Sequence, residues 1–370
     1  MSVNGFLTPV SEACRRTGPH QRIVLSSRVR LARNIQGHAF PGWAKKAEKQ
    51  QVLEQILPEI EKRPGMDDAF TSGMDKLSKN EKQILVERHL ISREHAENGA
   101  GSGLICGRGE SISIMINEED HLRMQSILPG LQIEKAWEAV DRIDSDLEER
   151  LPYAFSPERG YLTACPTNLG TAMRVSAMLH LPGLVLAEQI NAVMQAVNKL
   201  GMAVRGLYGE GTEALGNLFQ VSNQMTLGES EGDIIERLNK VLLQMMEHEE
   251  NARTNLVANK EKFVLNHIGR AYGTLSNAHS ISSKEAMNLL SMLRLGHDYG
   301  LFSKMRRSLV EELFILTQPA HLQLESDSKL SVEQRDVLRA DMLRSLLRPV
   351  PRPAEEFDLP DAESDESLLG

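Results

Sequence analysis

The chain has 370 residues, with 42 lysines and arginines against 51 aspartates and glutamates, for a formal charge of −9. That length suits two or three domains, and the 41% hydrophobic content is that of an ordinary soluble globular protein with enough chain to bury a core. The acidic balance excludes a basic coat for nucleic acid or an anionic membrane, and no run of about 18 apolar residues is present to span a bilayer.

Much of the charge lies at the end: residues 354–370 carry seven acids and no lysine or arginine. Such a segment is expected to stay disordered. The remaining body is close to neutral, so local clusters matter more than the total. The three cysteines, Cys14, Cys106 and Cys165, are far apart and form no CxxC pair. They fit neither a disulfide framework nor a zinc site and suggest a reducing, cytoplasmic compartment. The N-terminus lacks the basic start and apolar run of a secretory signal.

Residues 1–21 read as a flexible arm. Residues 22–33 alternate as a strand. Residues 44–62 are helical, with Leu53, Ile56, Leu57 and Ile60 on one face, and 81–97 are helical as well. Residues 104–116 are strand-like, with Ile112, Ile114 and Ile116 at period two. Residues 131–150 form a helix with a stripe of Ile133, Trp137, Val140 and Leu147. Strand-like runs follow at 161–164, 172–181, 202–208 and 217–223, with a helix at 184–200. Strands without regular βαβ alternation imply an α+β domain built on a mainly antiparallel sheet. Beyond about residue 225 only helices are signalled: 233–268, 282–295 (opened by Ser282 and Glu285), 303–317, and 331–347 (opened by Ser331 and Gln334). The expected division is an α+β domain at 22–254, an all-α domain at 255–348, and a Pro-rich hinge with an acidic tail at 349–370.

Four segments carry chemistry. In SSRVRLARN (26–34), Arg28 and Arg30 sit two apart on a strand and share a face. Two guanidinia there suit a shared phosphate, although a solvent-facing strand decorated with arginine is the plainer reading. In NEEDHLR (117–123), Glu118, Glu119 and Asp120 precede Arg123 at a strand end, either a solvated turn or a site for paired cationic and anionic substrates. After Cys165-Pro166, the run 172–181 places Arg174, Ser176 and His180 on one face and Met173, Val175, Ala177 and Leu179 on the other. Positive charge would shift Cys165 toward thiolate, whereas a lone cysteine is usually inert. In RGLYGEGTE (205–213), Arg205 leads a Gly-rich loop that carries Glu210 and Glu213 and lacks the P-loop pattern; it could close over a substrate. Together, five arginines, acids and a thiol recur on one sheet, which is equipment for phosphoryl transfer by electrostatic clamping.

These segments in this order, with NQMTLGESE at 223–231, resemble the phosphagen (guanidino) kinase family over about residues 22–250. The resemblance implies the α+β guanidino kinase fold, an antiparallel sheet surrounded by helices, followed here by the small all-α domain. It implies an ATP site made of Ser26, Ser27, Arg28, Val29, Arg30, His89 near the adenine, Arg123, Arg174, Val175, Ser176, Ala177, Met178, Arg205, Gly206, Leu207, Tyr208, Gly209 and Glu210. It implies that Glu119 takes the guanidinium proton, with Glu210 as its partner and Cys165 as a thiolate beside the guanidinium. Mg²⁺ would arrive with ATP, and no protein metal site is implied.

Small-molecule members carry a helical domain of about a hundred residues before the first motif. In this chain about 25 residues precede SSRVR, and a helical domain follows instead. That arrangement resembles the bacterial branch that phosphorylates arginine within proteins. The resemblance then implies clients marked for the ClpC–ClpP protease, the repressor CtsR as substrate, the activator McsA, and a homodimer. The RDxxRA pattern, with Arg335, Asp336, Arg339 and Ala340, is similar to a phosphoarginine-binding motif and implies allosteric reading of the product; spacing alone reads as a solvated helical stripe. A free-arginine kinase and a non-catalytic phosphoarginine-binding adaptor are the alternatives.

Overall fold

A computed structural model describes residues 3–7, 17–63, 66, 68–207, 214–326 and 328–357. The chain runs α1 (Val3–Leu7), β1 (Val24–Arg33), α2 (Lys46–Glu61), β2 (Phe70–Gly73), α3 (Lys79–Glu87), α4 (Arg93–Glu97), β3 (Gly103–Cys106), β4 (Ile112–Ile116) and β5 (Leu122–Pro129). It continues with α5 (Ile133–Glu148), β6 (Phe155–Ser156), β7 (Gly160–Tyr161), β8 (Met173–His180), α6 (Pro182–Leu186), α7 (Ile190–Lys199), β9 (Met202–Gly206) and β10 (Leu218–Asn223). The rest is helical: α8 (Glu231–Asn277), α9 (Ser283–Asp298), α10 (Arg307–Leu316), α11 (Pro319–Leu324) and α12 (Val332–Leu347).

Eight strands form one antiparallel sheet in the order β2-β3-β4-β5-β1-β8-β10-β9. The register decides which side chains meet. Arg28 lies opposite Ile127 on β5 and Ser176 on β8, and Arg30 lies opposite Gln125 and Arg174. Ala32 faces Arg123, and Arg205 faces Gln220, which in turn faces Met178. Directly opposed residues share a sheet face, so Arg28, Arg30, Arg123, Arg174 and Arg205 all stand on the same one. The other face, with Val29, Leu31, Met124, Met173, Val175 and Val221, buries against α5 and α8 through Ala136, Val140, Leu238 and Leu242.

Several local expectations change. The run 81–97 splits into α3 and α4 because His89 adopts φ 61°, which no helix continues. Glu188 at φ 59° likewise separates α6 from α7. The strands β2 and β5 were not expected; in β5, Leu122 and Met124 alternate with Arg123 and Gln125, but the buried Ser126 and the apolar Ile127 then break the pattern. The first residues are not wholly a loose arm, since Phe6 of α1 stacks on Phe70 with ring centroids 4.8 Å apart. Nor is the C-terminal stretch free up to residue 357. Val350 is buried, the Ala354 N–H bonds the Leu301 carbonyl, and Phe357 packs edge-on against Tyr299. The acidic residues from 358 onward, and Cys14, lie outside the described residues.

The boundary expected at 254/255 falls inside the 47-residue α8, which bends at Lys260 (φ −139°, ψ 38°). A second core, built on Val264, Ile268, Leu290, Leu293, Leu313 and Leu343, belongs to the helical domain. A seam of buried charge joins the two domains. Arg253 donates to Glu249 (2.6 Å) and Asp298 (3.0 Å), and Arg307 also reaches Asp298 (2.6 Å). Glu249 accepts the Gly183 and Leu184 N–H groups. His180, at the end of β8, is held by Ser291 Oγ (2.8 Å) and Arg294 (3.0 Å) from α9. Burial opposes charge on Asp298, but Arg307, Arg294 and Arg253 outweigh it and hold its carboxyl well below the usual range.

Asp298→Asn leaves three guanidinia without their common carboxylate and is expected to cost about 3–5 kcal/mol of stability in denaturant unfolding at pH 7. The depressed folded pKa means that the contribution is fully present above the ordinary carboxylate range and is lost only as pH falls through the depressed value. The difference between wild type and variant should therefore be unchanged between pH 8 and pH 6.

Candidate active site

Period-two alternation in β1 and β8 and the antiparallel register put the arginines side by side. Arg28 donates to Gln220 Oε1 (2.8 Å), and Arg174 donates to Ser222 Oγ (3.3 Å). Among the described residues Arg30 makes no side-chain hydrogen bond or ion pair, and the Nε atoms of Arg30 and Arg174 are buried without a partner. Burial and then repulsion from Arg123 and Arg174 push Arg28 down to about 10. Burial followed by Arg28, Arg123 and Arg174 drives Arg30 well below its usual value. Burial and Arg205 lower Arg174. Arg205 itself is exposed at the edge of the group. Three partly buried guanidinia, each lowered by burial and by neighbouring arginines, form a site for an anion, and a polyphosphate offers the forked oxygen pairs they match.

Beside this face opens a cleft enclosing about 900 Å³. Leu25, Ser26, His89, Ile127, Met178, Leu207 and Leu218 line it from the sheet side, and Met287, Phe314, Ile315 and Gln318 from the helical domain. Burial, then Arg28, lowers His89 to about 4, so its ring is neutral. The His89 carbonyl accepts from Gln125 (2.8 Å), which ties this residue to the arginine face. The contribution of the helical domain was not visible in sequence, where residues 255–348 read as a separate unit.

Not every expected site residue faces the site. Ser27, Val29, Val175 and Ala177 alternate to the opposite side. Val29, Val175 and Ala177 lie in the main core, and Ser27 Oγ is committed to the Gly130 carbonyl (2.8 Å). Only their backbone is left for a ligand. Ser26, Ser176 and Met178 share the arginine face, and Gly206 ends β9. Tyr208, Gly209 and Glu210 lie outside the described residues.

The acidic turn between β4 and β5 abuts this face at Arg123. Glu118 is buried and bonds Arg123 (2.6 Å) and Ser92 Oγ. Burial resists its charge, but Arg123 and these hydrogen bonds prevail and keep it below the ordinary range. Glu119 is 47% exposed by side chain and lies 4.0 Å from Arg123. Burial and the neighbouring Asp120 raise its pKa, the direction that suits a proton acceptor. Asp120, buried, accepts from Asn34 Nδ2 (2.6 Å) and the Ala164 N–H (2.7 Å). It thereby holds the Cys165 loop against the acidic turn. Cys165, partly exposed, opens the Pro166–Asn168 turn with Sγ 3.0 Å from Thr167 Oγ1. The three acids thus divide into a clamp on Arg123, a half-exposed carboxylate at the outer reach of the same arginine, and a loop anchor. The sequence placed them together without assigning those parts, and gave no weight to Asn34. Among the described residues no group of three or more His, Cys, Asp or Glu could hold a metal ion.

On α12 the expected pair of arginines is not a matched pair. Arg339 is 1% exposed and bonds the Thr317 (2.8 Å) and Ile281 (2.8 Å) carbonyls and Asp336 (2.5 Å). Arg335 is partly exposed and bonds the Leu330 carbonyl, while Ala340 is buried in the helical core. The helix turns Arg339 inward, so only Arg335 presents a guanidinium toward solvent.

Arg30→Met should remove repulsion in the ligand-free protein, leaving its stability unchanged or higher by about 1 kcal/mol, while abolishing most of the thermal stabilisation given by ADP or ATP. Thermal unfolding with and without nucleotide checks both halves.

Comparison with known proteins agrees with this arrangement. Residues 51–252 match the family model of the ATP:guanido phosphotransferase C-terminal catalytic domain, and residues 261–358 match that of the protein-arginine kinase McsB C-terminal domain. The protein-arginine kinase of Halothermothrix orenii is 46% identical over 330 residues, 89% of this chain and 94% of the relative. That of Bacillus subtilis is 43% identical over 350 residues, 94% of this chain and 96% of the relative. Among solved structures, a lombricine kinase superposes with a TM-score of 0.56 at 23% identity, covering 70% of this chain and 77% of that one, and so shares the fold. The chain belongs to the ATP:guanido phosphotransferases, in the protein-arginine kinase family.

Proposed function

We propose that this kinase transfers the γ-phosphoryl group of ATP to a guanidino nitrogen of arginine within a protein. The observation that carries the reading is the junction of two opposite fields: clustered arginines on one sheet face, and at their edge the half-exposed Glu119. ATP enters with Mg²⁺ as its companion ion. The base takes the cleft beside His89, and the phosphates lie along Arg28, Arg30, Arg174 and Arg205. Arg123, clamped by Glu118, meets the γ-phosphate from the acceptor side. The acceptor guanidinium docks on Glu119, near Cys165, with Glu210 as the proposed second carboxylate. A guanidinium is a poor nucleophile while protonated. As the N–P bond forms and the bond from the γ-phosphorus to the β-bridging oxygen breaks, the guanidinium proton passes to Glu119 and ADP departs. The arginines stabilise charge on the phosphoryl in flight, and Glu119 aligns the nitrogen.

Supporting a protein substrate are the relatives' names and the open position of Glu119, which an arginine side chain projecting from a chain can reach. The proposal extends to clients handed to ClpC–ClpP, to CtsR as substrate, to McsA as activator, to phosphoarginine acting through Arg335, and to a homodimer in the cytoplasm. Among the described residues no helix is long and apolar enough to cross a membrane.

Incubation with ATP–Mg²⁺ and an unfolded protein or free arginine, followed by phosphosite mass spectrometry at neutral pH, should find phosphoarginine in the protein. Phosphate on free arginine alone would overturn the reading. Glu119→Gln should lower kcat by about 10²–10⁴-fold with nucleotide affinity within about twofold. Because the Glu119 pKa is raised in the free protein, kcat/KM of the wild type should fall with acid above the ~4.3 of an ordinary glutamate, as the carboxylate protonates.

A further inference from the structure

Gln318 is the N-cap of α11, yet its side chain does not cap that helix. It turns back instead: Nε2 donates to the Phe314 carbonyl (2.8 Å) of α10 and to Met287 Sδ (3.2 Å) of α9. Those two acceptors use both hydrogens of the amide and fix which way it points, since the flipped amide would set Oε1 against a carbonyl oxygen. Among the described residues Oε1 accepts no hydrogen bond, and it is not sealed in the interior, so its free surface lies in the cleft that Gln318 lines.

The segment that carries Gln318 is locked on either side. Arg339 Nε donates to the Thr317 carbonyl (2.8 Å). The Ala320 and His321 N–H groups donate to Glu87 (2.8 and 3.1 Å), and His321 Nδ1 lies 2.7 Å from the same carboxylate. Glu87 stands two residues before His89, so one carboxylate ties the helical wall of the cleft to the wall that carries His89. The other charged groups along the cleft are engaged. Arg88 bonds Glu110 (2.7 Å) and His321 (3.2 Å), and Glu311 faces Arg294 at 3.6 Å. Between Leu25, Met178, Leu218 and Phe314 this leaves a largely apolar slot with a fixed acceptor on one wall.

We infer that Gln318 reads the nucleotide base: its Oε1 accepts from the exocyclic amine of adenine and turns away bases that carry an oxo group in that place. Adenine presents an amine donor where guanine and hypoxanthine present an oxygen acceptor. A fixed acceptor favours the first and opposes lone pairs to the second. Gln318 cannot rotate to suit an oxo base without giving up its bonds to Phe314 and Met287, so the discrimination is built in. The helical domain thereby supplies base specificity to a site whose proposed phosphate contacts come from the sheet. The inference rests on the reading that the base occupies the cleft beside His89.

The test is calorimetry on the full chain with Mg²⁺ and three ligands: ADP, purine riboside diphosphate, which lacks the amine, and inosine diphosphate, which has oxygen in its place. Wild type should bind the first analogue about three- to tenfold more weakly than ADP and the second about tenfold or more weakly. Gln318→Met keeps the length and loses the acceptor; it should bring all three within about twofold of one another, with affinity for inorganic tripolyphosphate unchanged. Equal affinities in wild type, or an undiminished preference for ADP in the variant, overturn the assignment. If tripolyphosphate binding also falls in Gln318→Met, Gln318→Leu decides by the same comparison. Ile315→Trp, which fills the cleft from the helical wall, should weaken ADP about tenfold or more and leave tripolyphosphate alone. Unchanged ADP affinity in that variant would instead remove the reading, beneath the inference, that the base lies in the cleft.

Discussion

Guanidinium groups crowded on one face of a sheet repel one another, and much of this molecule is arranged around that repulsion. Arg28 and Arg30 are neighbours by strand alternation, and pairing with β5, β8 and β10 brings Arg123, Arg174 and Arg205 to the same face. Among the described residues, protein acids neutralise only the edge of the group, where Glu118 clamps Arg123. The rest is left to be balanced by a ligand of high negative charge. A site built in this way binds polyphosphate strongly, and it stabilises the extra charge that spreads over a phosphoryl group between donor and acceptor. The unpaired state of Arg30 is thus a functional cost carried by the free protein.

Holding such a face rigid requires support from behind and from the side. Behind it, Val29, Leu31, Met173 and Val175 lock the strands to α5 and α8. At the side, the charges of Arg253, Asp298 and Arg307, and the bond of Arg294 to the neutral His180 ring, fix the end of β8 to the helical domain. The same domain walls the cleft next to His89 through Met287, Phe314 and Gln318. Thr317, adjacent to Gln318, gives its carbonyl to Arg339 of α12. Events on α12 are therefore one residue from the cleft.

Much of this was legible in the sequence, for identifiable reasons. Alternation in SSRVRLAR and in MRVSAMLH assigned Arg28, Arg30 and Arg174 to polar faces, because a two-residue period needs no tertiary information. The helical second half was equally readable from its caps at Ser282 and Ser331. β5 was not, because its alternation over Leu122–Gln125 is short and breaks where Ser126 takes the core face and Ile127 lines the cleft. The resemblance singled out Glu119 among the three acids, but the tasks of Glu118 and Asp120 were not legible, because their directions are set by partners far away: Ser92, Asn34 and Ala164. The inward turn of Arg339 depends on carbonyls at Ile281 and Thr317, which spacing along α12 cannot reveal.

In the proposed reaction the arginine face and the acidic turn are complementary to a planar phosphoryl group in flight between ADP and a peptide guanidinium. Nitrate has that shape and charge distribution, so the most direct measurement is a calorimetric titration of Mg²⁺–ADP into the protein with nitrate, with an arginine-containing peptide, and with both. Both together should tighten ADP binding by about tenfold or more, while either alone does little. Equal ADP affinity under all conditions would contradict it.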